Sequence, residues 1–170
     1  MKQPLHQEHG ALTRRQQDIL ALLALGKTNS DIAACLKISV NTVKRDLASA
    51  HRLLGTSSRP QLAAVVYRER VVPLPPQPSG PVPALSPRQG DALSLIAEGK
   101  SIPQTAEELG LATETTRRYL VRAREALGGA GSSAGAVGLL YRWRLRPLAD
   151  EPRDQAVVGT AHESAPVPAE

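Results

Sequence analysis

The chain has 170 residues, with no Phe, one Trp, three Tyr and a single Cys. That length holds one ordinary domain or two small ones, and the scarcity of aromatics leaves an aliphatic core that suits helical bundles better than β-sandwiches. A formal charge of +5 and a pI near 9.8 admit a polyanionic partner, while one cysteine excludes an internal disulfide and a Cys-cluster zinc site. The segment MKQPLHQEHG lacks the apolar stretch of a secretory signal, and the longest apolar run, 19–25, is far too short for a bilayer. The chain reads as soluble and cytoplasmic, with no membrane partner.

Charge is unevenly placed. Residues 12–70 carry ten Lys/Arg against four Asp/Glu, and residues 85–146 carry nine against six. Residues 147–170 hold one Arg and five acids. The positive charge therefore sits in two segments, and those segments are copies of one another. Without a gap, 12–55 aligns with 85–128 at an offset of 73, and 17 of the 44 pairs are identical.

In chain order, residues 1–11 are polar and read as disordered. In each copy a first helix opens on a capping box, Thr13 with Gln16 and Ser86 with Gln89, and stops at Gly26 or Gly99. A second box, Thr28 with Asp31 and Ser101 with Gln104, opens a second helix reaching about Leu36 or Leu109. Ala33 and Ala106 fall in it where close packing demands a small side chain. Cys35 is expected on the same helix as a buried, inert thiol. A three-residue turn leads to a third helix, from Val40 to Gly55 and from Thr113 to Gly128, which makes a helix-turn-helix arrangement. Val43, Leu47, Ala50 and Leu54 share its inner face, and so do Thr116, Leu120, Ala123 and Leu127. The outer rows are Asn41, Lys44, Arg45, Ala48, Arg52 and Glu114, Arg117, Arg118, Val121, Glu125, with Arg122 and Arg124 flanking. A basic face near a helix start suits entry into the major groove of double-stranded DNA.

Between the copies, 71–84 is proline-rich, excludes helix and favours an extended linker reaching roughly 40 Å. Residues 147–170 read as a disordered acidic tail. The expected fold class is all-α: two tandem four-helix helix-turn-helix domains, 12–70 and 85–146, joined by a Pro-rich linker. GGAGSSAGAVG, from Gly128, is expected to weaken the last helix of the second copy. Tyr141 and Trp143 near its end read as core anchors. His6, His9, His51 and His162 show no ligand spacing and read as surface residues, so no metal and no cofactor is expected. No glycine-rich phosphate loop, carboxylate pair or nucleophile–base pattern points to an enzyme.

The first copy resembles the LuxR/FixJ-type DNA-binding domain. The resemblance rests on LT-x-R at Leu12, LALGKTNSDIAACLKIS from Leu23, TVKRDL from Thr42, RLLG from Arg52 and SRPQLAAVVYR from Ser58. The second copy is similar through LSPRQ, AEGKSIPQTAEELGLA and TTRRYL. The resemblance implies base reading by Lys44, Arg45 and Ala48, and by Arg117, Arg118 and Val121. It implies backbone contacts from Thr42 and Thr115, with Arg15 and Arg88. Asn41, Arg52 and Arg122 on the outer rows extend that backbone set. It also implies a dimer contact at the fourth helix, here Leu62, Val65 and Val66, matched by Val137, Leu140 and Tyr141. Gln16 and Gln89 replace the family's Glu, removing an ion pair, and Asp46 is expected as a mildly unfavourable charge beside a phosphate-facing surface. No sensing domain accompanies the copies, so the family's usual on-switch is expected to be missing. The expected function is a transcription regulator in which one chain, as a monomeric pseudo-dimer or a homodimer, reads two non-identical half-sites. The alternative is an adaptor that binds RNA polymerase or another regulator, since domains of this shape also resemble the promoter-reading part of sigma factors.

Overall fold

A computed structural model of the chain describes residues 12–73, 79–128 and 131–143. The expected disordered ends, and residues 74–78 of the linker, lie outside the described residues. Among the described residues there are eight helices and no strand: α1 Arg14–Ala24, α2 Asn29–Leu36, α3 Val40–Leu53, α4 Arg59–Arg68, α5 Pro87–Ala97, α6 Ile102–Leu109, α7 Thr113–Ala126 and α8 Ser133–Arg142. Corresponding helices in the two copies have the same length, 11, 8, 14 and 10 residues. None is long and apolar enough to cross a membrane.

Local chemistry explains the boundaries. All four expected capping boxes form, each using a Ser or Thr oxygen and a returning Gln or Asp side chain. Ser39 caps α3 through the amide of Thr42, whereas Ala112 leaves α7 without a side-chain cap. The turn after α2 passes through a left-handed residue, Lys37 (φ 54, ψ 44), and Gly110 takes the same conformation in the second copy (φ 64, ψ 37). Glycine adopts it freely, while the Lys37 Cβ makes the same turn mildly strained.

Ile19, Leu20, Leu23, Ile32 and Val43 are fully buried in the first copy, and Leu93, Val137 and Leu140 nearly so in the second. A single apolar core runs through both copies. The join is made by α4 lying on α8, with α4 also against α5 and α8 against α1. These contacts are reciprocal. The N-caps of the fourth helices, Ser58 and Ser132, stand 74 residues apart, so Gln61 corresponds to Gly135 and Tyr67 to Tyr141. At one end a Cβ on Gly26 would lie 2.8 Å from the Gly135 Cα. At the other end, Gln61 Nε2 donates to the Glu98 carbonyl at 3.1 Å, with its amide against Gly99. Between them the rings of Tyr67 and Tyr141 stack, 6.1 Å apart and 8° from parallel. A residue meeting its own counterpart marks an approximate two-fold axis.

The glycines expected to weaken α8 have another role. A Cβ on Gly138 would sit 2.1 Å from the Ala24 carbonyl oxygen and 3.2 Å from the Tyr67 ring. They allow α8 to touch the backbone of α1, and α8 forms at full length.

Candidate nucleic-acid interface

In each copy, α2–α3 or α6–α7 forms the helix pair, and the first helix holds the third by its inner row. Val43, Leu47 and Ala50 are buried on α3, with Leu54 half-buried after it; Thr116, Leu120, Ala123 and Leu127 are buried in the second copy. That orientation exposes Asn41, Lys44, Arg45, Ala48 and Arg52 on α3, and Glu114, Arg117, Arg118, Val121 and Arg122 on α7. Thr42 and Thr115 are half-buried at the edges of these faces. Thr42 shares a 2.9 Å hydrogen bond with the Ser39 hydroxyl.

Asp46 is not a surface liability. It is buried, and both its oxygens accept hydrogen bonds from Arg15, Nε at 2.5 Å and a terminal nitrogen at 3.3 Å. The hydrogen bond and the charge of Asp46 raise the Arg15 pKa above its ordinary value. Arg15, expected at the DNA backbone, bonds Asp46 with its guanidinium and so ties α1 to α3. In the second copy Tyr119 replaces Asp46, and Arg88 is exposed. Burial pushes the Asp91 carboxyl up, with Arg88 opposing the shift.

The two exposed faces differ in detail. On α7, Arg117 donates to Glu114 at 3.4 Å. Thr115, Arg118, Tyr119 and Arg122, one turn apart along a single stripe, line a concavity of about 180 Å³. The matching stripe on α3 is Thr42, Arg45, Asp46 and Ser49.

Of the residues expected at the domain contact, Leu62, Val65, Val66, Val137 and Leu140 are buried and Tyr141 lies in the ring stack. Trp143 is half-buried against the core. Two other expectations are corrected. Cys35 is exposed. His51 is half-buried rather than a surface residue, its Nδ1 2.7 Å from the Thr56 hydroxyl, and burial pushes its pKa down. Arg59 escaped the sequence reading: it donates to the Asn29 side chain at 2.6 Å and to the Lys27 carbonyl at 2.5 Å, fastening α4 to the start of α2 and the loop before it. Among the described residues no group of three or more His, Cys, Asp or Glu is placed to hold a metal ion.

Two helix-turn-helix units, each presenting an exposed cationic third helix, define the class of DNA-binding helix-turn-helix domains. Residues 10–66 match the family of bacterial regulatory proteins called the luxR family, and residues 82–127 match Sigma-70, region 4. The chain is 34% identical over 68 residues to the spore germination protein GerE of Bacillus subtilis, covering 92% of that protein and 40% of this one. It therefore belongs to the LuxR family of bacterial regulatory proteins. It is also 39% identical over 64 residues to the transcriptional regulatory protein LiaR of Bacillus subtilis (38% of this chain, 30% of LiaR). Over 56 residues it is 41% identical to the HTH-type transcriptional regulator YhjB of Escherichia coli (33% of this chain, 28% of YhjB). The chain thus spans under a third of the length of these two relatives. No solved structure matches it.

Proposed function

We propose that the chain is a sequence-specific, double-stranded-DNA-binding transcription regulator acting as a single-chain pseudo-dimer. The observation that carries this reading is the reciprocal α4–α8 join between two units whose third helices are both exposed and cationic. In this reading one third helix enters each of two major-groove segments about one DNA turn apart. In the first unit Lys44, Arg45 and Ala48 meet base edges, flanked by Asn41, Thr42 and Arg52 at the backbone. In the second, Arg117, Arg118 and Val121 take the equivalent places, with Val121 suited to a thymine methyl. Because the two sets differ, the preferred site has two non-identical halves. The fourth-helix surfaces are used within the chain, which supports a monomer rather than a homodimer.

Selection of duplexes from a random pool tests the proposal. The expected result is a two-part asymmetric motif, with Arg45→Ala costing about 1–3 kcal/mol at one base position. Equal weakening of every sequence by that variant makes Arg45 a phosphate contact and sinks its assignment. The Sigma-70 region 4 match supports a second reading, an adaptor that engages RNA polymerase or another regulator through the second unit. Affinity for DNA that is weak and flat with salt favours that reading, since several phosphate contacts impose a steep salt dependence.

A further inference from the structure

We infer that the two units divide the work on DNA unequally, and that the α7 concavity lined by Thr115, Arg118, Tyr119 and Arg122 is a notch for a backbone phosphate, with a pair of cations that the matching stripe on α3 lacks. This rests on the DNA-binding reading above and moves Arg118 from the base edge to the backbone.

The argument starts from the matched stripes. On α7 the stripe presents two exposed guanidinium groups and a hydroxyl around a recess, with a phenol in its wall and no carboxylate. Guanidinium groups carry planar, fixed donors that fit phosphate oxygens, and hydroxyls commonly add a further bond to the backbone. On α3 the same stripe offers Arg45 alone, because Ser49 replaces Arg122 and Asp46 replaces Tyr119. Asp46 also holds Arg15, the cation that α1 would otherwise contribute. In the second unit the phenol of Tyr119 cannot do this to Arg88, which is exposed. Neither acid of α7 lines the concavity: Glu114 is engaged with Arg117, and Glu125 lies outside the lining. Two differences at shared positions thus leave the α3 stripe with a single cation beside a carboxylate and the α7 stripe with two cations and none. The second unit grips the backbone; the first unit supplies most of the base discrimination.

The test is the salt dependence of duplex affinity, read by fluorescence anisotropy on the full chain, for wild type, Arg118→Ala/Arg122→Ala and Lys44→Ala/Arg45→Ala. Each lost phosphate contact lowers the slope of log K against log salt by about 0.9. For the one phosphate seated in the notch, the wild type should therefore lose about 3.5-fold more affinity than the α7 double variant between 50 and 200 mM salt, on specific and random duplexes alike. The α3 variant should lose preference for the selected sequence with a smaller change in slope. Tyr119→Asp should reduce the slope as well, by placing a carboxylate in the recess. A wild-type chain that binds duplex while the α7 variant keeps its slope, or changes only base preference, overturns the notch and leaves the DNA-binding reading standing. Failure of the wild type to bind any duplex overturns both. Titration with inorganic phosphate alone should give no saturable response; saturation in the micromolar range would make the recess a site for a small phosphorylated ligand and overturn its assignment to DNA.

Discussion

The join between the units makes a sharp prediction about two glycines. Gly138→Ala places a methyl group 2.1 Å from the Ala24 oxygen, where real Cβ atoms keep at least 3.0 Å, so α8 must retreat from α1 by nearly an ångström. The obstructing atom is backbone and cannot rotate aside. Overpacking of this kind costs about 1–3 kcal/mol, against which alanine regains roughly 1 kcal/mol of helix propensity. The net expectation is a loss of up to about 2 kcal/mol. Gly90→Ala is the matched control: this glycine lies within α5, a Cβ there meets nothing within 4 Å, and the first copy carries Gln17 at the same position. It should stabilise by about 0.5–1 kcal/mol. With a urea m-value of about 1.5 kcal/mol/M, Gly138→Ala should lower the unfolding midpoint by up to about 1.3 M while Gly90→Ala raises it. If both substitutions raise the midpoint by similar amounts, α8 does not seat on α1 as described.

Thr105 is fully buried on α6 with an unpartnered hydroxyl, where the first copy has Ile32; Thr105→Val should stabilise by about 1 kcal/mol in the same assay, and a loss would show that the hydroxyl has a bonding partner. His51 is held below its ordinary pKa chiefly by burial, so the unfolded chain takes up its proton first as pH falls. Its contribution to stability is complete above about pH 6.5 and declines as pH drops through the lowered folded value. Urea midpoints across that window should fall more steeply for wild type than for His51→Gln, and parallel curves would refute the assignment.

The helices were legible because their signals are local. Capping boxes span four residues, and the inner row of α3 repeats with the helical period, so both could be read without knowing what lay opposite. What escaped reading depends on distant partners. Nothing within a few residues of Asp46 announces Arg15, which stands 31 positions away. The glycines of α8 looked like weak helix formers because their use lies in the backbone of α1. Cys35 failed for a different reason. On the short α2 the buried stripe centres on Ile32, Ala33 and Leu36, and Cys35 lies roughly 100° around the helix from that centre. The concavity on α7 escaped reading too, since a stripe of Thr, Arg, Tyr and Arg does not reveal in sequence whether its members enclose a recess.

Covalent connection of the two units has a consequence for how such a protein can vary. Two separate subunits find each other only above some concentration, whereas units on one chain meet at an effective concentration set by the linker, independent of how many molecules the cell contains. Separate identical subunits also share every mutation, so an altered residue strikes both halves of the site together. Here each half is free to drift alone. The contrast between Asp46 with Arg15 and Tyr119 with Arg88 is a difference of that kind, at matched positions of two copies on one chain.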